Sequence, residues 1–155
     1  MTREQAQDLI QVMKKLMLTG IYYFPATGQM NSIPLQSMQS PKDNFTVYVN
    51  RKSTIVPGKY TILLHYPQED LLRIDVNGSE HVNPDGTRVP CPHIHLRTQD
   101  TGKWDKWAYD IPAVFGNTDE YVNTVRDFLQ YCHTCNIDEL TICEQKELGD
   151  ENAGT

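Results

Sequence analysis

Four runs that favour β-strands follow one another in the middle of the chain, with no helical period between them. They span Phe45 to Asn50, Tyr60 to Tyr66, Leu71 to Val76, and residues 91–97. Turn signals such as Pro-Gly and Asn-Gly punctuate the connections. Parallel neighbours need a crossover, usually a helix, whereas antiparallel neighbours do not. The sequence therefore predicts an antiparallel meander.

Amphipathic helices are predicted on both sides of this strand region. The first begins at Thr2, which has capping-box spacing to Gln5, and ends at Gly20. Its apolar positions recur at helical spacing: Leu9, Met13, Leu16 and Met17. The second begins near Asn117 and ends near Asn136. Its apolar stripe consists of Tyr121, Val122, Val125, Phe128, Leu129 and Cys132.

The remaining segments complete a prediction of one α+β domain over residues 1–143. We expect an antiparallel sheet of about five strands, with the N- and C-terminal helices packed against it. Residues 26–43 carry Gly, Pro, Ser and Gln and are predicted to form a long irregular loop. Shorter β-favouring segments lie at 21–24, 107–111 and 137–143, the last a short strand or a turn of helix. Residues 144–155 are expected to be a disordered acidic tail.

Charge and hydropathy exclude several classes of function. The net charge is −6 and no cluster of Lys and Arg occurs, which argues against direct binding of nucleic acid duplexes. The acidic balance suits contact with a basic protein surface, or simple solubility. No run of 18 apolar residues and no signal-peptide pattern is present, so a cytoplasmic location is expected. In that compartment the four cysteines are thiols or metal ligands rather than disulfides.

Cys91, His93 and His95 occupy every second position of the fourth predicted strand. Alternate side chains of a strand share one face, so these three point together while Ile94 and Leu96 point the other way. Imidazole and thiolate are zinc ligands. Pro90 and Pro92 leave open whether the strand extends to Cys91.

Two further side chains join this candidate site. His81, in the preceding loop, can fold back over the strand, so the predicted zinc ligands are His81, Cys91, His93 and His95. Asp75, on the neighbouring strand, either replaces one of them or hydrogen-bonds a ligating imidazole. We expect a mainly structural metal that pins residues 79–91 to the histidine strand. The alternative is that His93 and His95 simply face water.

Cys132 and Cys135 form a Cys-x-x-Cys motif near the end of the second helix. Cys132 also fits the apolar stripe, so a core position and a zinc half-site both remain open. The two cysteines could also share one ion with the histidines. A redox role is disfavoured, because a helix C-terminus raises the pKa of a thiol.

An enzymatic function is the second hypothesis. A three-ligand zinc site with an open position activates water near neutral pH, and Asp75 and the histidines would then serve as acid, base and ligands. The sequence contains no HExxH, GxSxG, P-loop or GxGxxG motif. We therefore expect a protein that is not an enzyme.

The segments LLRIDVNGSEH, PCPHIHL and KWAYDIP resemble a family of small, poorly characterised proteins of bacteria and their phages. The shared pattern is an Arg-x-Asp strand, a loop His, a Pro-His-x-His strand and a Trp-Ala segment. In this chain its positions are Arg73, Asp75, His81, Pro92, His93, His95, Trp107 and Ala108. The match covers roughly residues 60–130.

In size, acidity and metal-type cluster the chain is also similar to metal-containing anti-CRISPR proteins of type II systems. That resemblance implies a zinc-binding inhibitor in a bacterial host. Its partner would be a type II CRISPR effector nuclease, whose loading with guide or target DNA it would block. The Asp strand followed by Pro-His-x-His also resembles small toxins of toxin–antitoxin pairs, which implies a metal-dependent ribonuclease.

Overall fold

The computed structural model describes residues 1–67 and 69–144 and has an α+β fold built on a large antiparallel sheet. The sheet has seven strands, in the order β1-β3-β4-β5-β6-β9-β10. Their bounds are β1 Lys14–Leu16, β3 Met30–Ser37, β4 Asn44–Asn50, β5 Tyr60–Tyr66, β6 Glu69–Val76, β9 His93–Leu96 and β10 Ala108–Asp110. Every pairing within it is antiparallel, so the predicted meander is confirmed.

Smaller elements flank this sheet. Strands β2 (Gly20–Phe24) and β11 (Leu140–Glu144) form a parallel pair, and β7 (His81–Val82) and β8 (Arg88–Val89) form a short antiparallel hairpin. The helices are α1 (Arg3–Gln11) and α2 (Tyr121–Tyr131), with a 3₁₀ turn at Ile137–Glu139. No helix in the described residues is long and apolar enough to cross a membrane.

The first helix is shorter than the sequence predicts. The capping box between Thr2 and Gln5 is present, but α1 ends at Gln11 instead of near Gly20. Residues 14–16 form β1, which pairs with the end of β3. Pairing with that strand buries Leu16 and leaves Met13 and Met17 exposed, so tertiary contacts override the helical spacing.

The segment predicted as an irregular loop contains strand β3, which is one reason why the expectation of about five strands was too low. Ile33 and Leu35 point into the core, in alternation with polar neighbours. Pro34 lies inside the strand, and its carbonyl accepts a hydrogen bond from the Met17 backbone amide. A proline is tolerated here because β1 ends at Leu16, opposite Leu35, so Pro34 has no ladder partner in β1. The acidic tail was expected at 144–155; Glu144 instead ends strand β11, and residues 145–155 lie outside the described residues.

The two faces of the main sheet have different roles. One face carries the apolar residues of β4, β5, β6 and β9 and joins both helices in the hydrophobic core. That arrangement agrees with the predicted packing of the helices. The opposite face carries Tyr48, Arg73, Asp75 and the two strand histidines. Because side chains alternate along a strand, a core on one face leaves the other free for polar groups.

Candidate metal centre

The strand register brings three potential metal ligands together on the outer face of the sheet. Asp75 of β6 lies directly opposite His93 of β9, and Arg73 lies opposite His95. Directly opposed residues of an antiparallel pair share a face and lie close together. Ile94 points into the core, as the alternation predicts.

Asp75, His93 and His95 converge on one point. Oδ2 of Asp75 lies 3.2 Å from Nε2 of His93 and 3.1 Å from Nε2 of His95. All three ligand atoms lie within 4.8 Å of one another. His93 and His95 are only 1% and 2% exposed, although they lie on the polar face of the sheet. This burial excludes the alternative that His93 and His95 simply face water.

Each of these imidazoles is anchored through its other nitrogen. Nδ1 of His93 lies 3.2 Å from the Val89 carbonyl, and Nδ1 of His95 lies 2.9 Å from the Asp105 carbonyl. A carbonyl only accepts hydrogen bonds, so each Nδ1 carries the hydrogen. In the neutral ring Nε2 then presents a lone pair, and it presents it to a carboxylate oxygen.

Two lone pairs facing a carboxylate oxygen repel it unless a cation lies between them. Protonating both rings would satisfy the geometry, but it would place two buried positive charges beside Arg73. A single divalent metal satisfies all three atoms at once. In metal-binding histidines, the N–H of the second ring nitrogen typically donates a hydrogen bond to a carbonyl in this way.

His81 of strand β7 contributes a third ring to the cluster. Its centroid lies 4.7 Å from that of His95 and 6.1 Å from that of His93, and the His93 and His95 centroids are 4.9 Å apart. Imidazoles bound to one tetrahedral zinc, with Zn–N distances of about 2 Å, have centroids roughly 5 Å apart. Nε2 of His81 donates to the Lys106 carbonyl at 2.7 Å, so this ring is anchored like the other two. It stands outside the group of three converging ligand atoms.

Arg73 and a segment after β9 orient the carboxylate. Nε of Arg73 donates to Oδ1 of Asp75 at 2.7 Å, and Nη2 donates to Oδ2 at 3.2 Å. The guanidinium also contacts Asp105, and its carbon lies 5.7 Å from the centroid of the Trp104 ring. Burial raises the pKa of Asp75, but the close polar contacts with His93, His95 and Arg73 outweigh burial and hold that pKa well below its ordinary value. Asp75 is therefore a carboxylate anion, a form that can bind a metal.

Cys91 lies beside the centre, but its thiol is near Nδ1 of His93. It is therefore not placed to share an ion with Nε2, which is on the other side of that ring. Its Sγ is 3.6 Å from Nδ1 of His93, the nitrogen that faces the backbone carbonyls, and 3.5 Å from the Ser79 carbonyl. Strand β9 begins at His93, so it does not extend to Cys91. Burial raises the pKa of the thiol, which favours the protonated form over a metal-binding thiolate.

The Cys-x-x-Cys motif is separate from this cluster. Cys132 is fully buried in the apolar core, and burial raises its pKa to about 12. Cys135 is exposed. Within residues 1–67 and 69–144, the group of His, Cys, Asp or Glu with the spacing of a metal site is Asp75, His93 and His95. The buried position of Cys132 agrees with the interpretation that it is a core residue.

Sequence reasoning did not identify the segment after β9. The carbonyls of Asp105 and Lys106 anchor His95 and His81, and the side chain of Asp105 pairs with Arg73. Backbone carbonyls leave no signature in side-chain patterns. The Asp105 side chain had no recognisable spacing to the histidines, because the chain reverses between β9 and β10.

The chain matches a protein family described only as a family of unknown function (DUF6978), over residues 1–134. The comparisons with curated proteins and with solved structures found no match.

Proposed function

We infer that this chain, which belongs to the DUF6978 family of unknown function, is a zinc protein whose ion is held by Asp75, His93 and His95. The observation that carries the proposal is the pair of buried Nε2 atoms facing one carboxylate oxygen while both Nδ1 atoms donate to carbonyls. Two imidazoles and a carboxylate form a ligand set that zinc accepts. His81 is the nearest candidate for the fourth position.

The geometry favours a structural role for the ion. His81 belongs to the β7–β8 hairpin, whereas Asp75 and His93 belong to the main sheet. An ion held by both parts ties the hairpin to the sheet, and a site with four protein ligands leaves no position for substrate. This supports the hypothesis that the metal pins residues 79–91 to the histidine strand.

Elemental analysis of the purified protein tests the zinc site. We expect about one zinc per chain in the wild type and a loss of zinc in His93→Ala/His95→Ala, because two of the ligands are removed. His133→Asn is the matched control: His133 is exposed at φ 59°, a conformation that asparagine tolerates. Its zinc content should equal that of the wild type. A metal-free wild type, or zinc retained by the double variant, would contradict the proposal.

The identity of a partner is a separate proposal. We propose that the zinc-loaded protein acts as a non-enzymatic inhibitor that docks on a basic protein surface, most concretely a type II CRISPR effector nuclease. Its net charge of −6 and the resemblance to anti-CRISPR proteins support this choice. Co-purification of the zinc-loaded chain with a panel of such nucleases tests it. Failure to bind any of them would remove this partner.

A metal-dependent nuclease is the second candidate, and one observation favours it. A cavity of about 580 Å³ opens beside the centre and is lined by Asp75, Arg73 and Lys59. If His81 stays outside the group of converging ligand atoms, the ion keeps an open position towards which a substrate could move. Zinc-loaded protein should then cleave RNA or DNA, and Asp75→Ala should abolish cleavage. No cleavage across a broad substrate panel would rule this function out.

A further inference from the structure

The cavity beside the candidate metal centre has the features of a binding site of its own. Strands β4, β5 and β6 form its floor on the outer face of the sheet. Tyr48, Leu63 and Arg73 lie in one row across these strands, and Asn50 and Thr61 lie in the next. Its volume of about 580 Å³ falls in the range of small-molecule sites.

We propose that this cavity binds a nucleotide unit, with the phosphate on Lys59 and the base against Tyr48. The proposal goes beyond the zinc site and does not depend on it. It concerns a free nucleotide or one unit of a single strand. The absence of a basic cluster argues against a duplex but not against a ligand of one phosphate.

The charges around the cavity favour an anion. Lys59 and Arg73 are its cations and Asp75 is its carboxylate. Arg73 is occupied by Asp75 and Asp105. Within the described ranges, 1–67 and 69–144, the ammonium of Lys59 has no hydrogen-bond or ion-pair partner. The two cations and the two carboxylates that pair with Arg73 balance one another, so the feature that favours an anion is the ammonium of Lys59, which has no carboxylate partner in the described part of the chain. Phosphate is a usual partner of such an ammonium.

The stem of Lys59 has a defined place. A Cβ built on Gly78 would lie 3.6 Å from Cε of Lys59, so the stem passes beside the backbone that follows β6. Ser79, the next residue, also lines the cavity and offers a hydroxyl. The ammonium of Lys59 and the hydroxyl of Ser79 are both hydrogen-bond donors that a phosphate at this end of the cavity could accept from.

Tyr48 provides a platform for the base. Its ring meets His65 edge-on, with centroids 5.6 Å apart, and is half-buried. Leu63 lies beside it on the neighbouring strand. Planar bases stack on aromatic side chains of open sheet surfaces, in a way that tolerates any base. Asn50 and Thr61 offer donors and acceptors at the edge of this platform.

Calorimetric titration with four probes tests the proposal: inorganic phosphate, adenosine, adenosine monophosphate and a short single-stranded oligonucleotide. We expect the wild type to bind the monophosphate more tightly than either adenosine or phosphate alone. Lys59→Met, which keeps the apolar stem, should weaken monophosphate binding about tenfold and leave adenosine unaffected. Tyr48→Leu should weaken binding of both nucleoside probes about fivefold or more.

Matched variants separate these effects from general changes of charge or surface. Lys52→Met removes a cation from an exposed turn, and Tyr23→Leu removes an aromatic ring that is 51% exposed, both away from the cavity lining. Both should bind like the wild type. If the oligonucleotide binds more tightly than the monophosphate, the ligand is a strand; equal or weaker binding assigns it to a free nucleotide.

Two outcomes would overturn the proposal. One is a wild type that does not bind the monophosphate at concentrations up to about 10 mM, which is about tenfold weaker than a millimolar dissociation constant. The other is a Lys59→Met variant that binds like Lys52→Met. Zinc content measured in the same samples keeps the two proposals distinct, because His93→Ala/His95→Ala should lose zinc and retain the nucleotide.

Discussion

At the scale of single residues, the centre depends on which nitrogen of each histidine is held by the backbone. The alternation of His93 and His95 predicted a shared face, and the structure places both there. The sequence could not predict the anchoring carbonyls of Val89 and Asp105, because any residue type supplies a carbonyl. Those carbonyls orient the two imidazoles so that both Nε2 atoms face Asp75.

Arg73 should tune zinc affinity through Asp75. Arg73→Met leaves Oδ1 of Asp75 without its guanidinium partner, so the carboxylate loses its fixed orientation. We expect zinc affinity to fall about tenfold, as is typical when a group that orients a ligand is removed. Competition with a chromophoric chelator measures it. Arg88→Met, at an exposed pair with Glu80, should leave the affinity unchanged, and an equal effect of both variants would refute the role of Arg73.

Lys14 should make stability depend on pH. Its buried ammonium donates to three backbone carbonyls, of Ile10, Val12 and Cys132, and burial lowers its pKa from 10.5 to about 8. Between those values the unfolded chain binds more protons than the folded one, so this residue makes the free energy of unfolding rise with pH. We expect the difference between wild type and Lys14→Met to change by about 1 kcal/mol per pH unit in that window.

Denaturant titrations at pH 7, 8, 9 and 10 measure this dependence. Below pH 8 both states are protonated at Lys14, so the difference between the two proteins should be flat there. A difference that is flat throughout, or that falls as pH rises, would show that the folded protein retains the proton.

At the scale of elements, the sequence prediction failed where pairing between distant strands determines the structure. Strands β4, β5 and β6 were predicted because alternation and turn signals agree. The predicted end of α1 was wrong because residues 14–16, although their apolar positions have helical spacing, pair with β3 as strand β1. Strand β3 was missed because its polar composition hides the alternation of Ile33 and Leu35. Local patterns do not contain the partner strand, so they cannot resolve such conflicts.

The β7–β8 hairpin should loosen when zinc is removed. His81 and the Val89 carbonyl connect it to the centre, and Arg88 within it is exposed. Removal of the ion by a chelator should raise the rate of tryptic cleavage after Arg88, because local opening exposes that bond. Mass spectrometry of the fragments measures it. Cleavage after Arg126, within α2, serves as the internal reference and should change much less.

His81→Ala should have the same effect without a chelator, if the hairpin is held through this ring. Faster cleavage after Arg88 in zinc-loaded His81→Ala would support His81 as the fourth ligand. A rate equal to that of the wild type would instead leave the ion on Asp75, His93 and His95 alone, which favours the open site that a nuclease needs.

At the scale of the whole molecule, one sheet serves two purposes on its two faces. The apolar face packs on both helices and supplies the core, whereas the outer face carries polar side chains. The centre lies towards the β10 edge of that face, beside the two-residue strands β7 and β8. Zinc would therefore add stability mainly by closing this edge, and the core would fold without it.

That division predicts a moderate effect of zinc on global stability. Free zinc at about 100 times its dissociation constant should add about 2.7 kcal/mol, equivalent to a rise in Tm of roughly 5–10 °C for a chain of this size. The Tm of His93→Ala/His95→Ala should not respond to zinc, yet that variant should still melt cooperatively, because its core is intact. Calorimetry with and without zinc measures both. A double variant that does not fold would show that the ion supports the whole sheet and not only its edge.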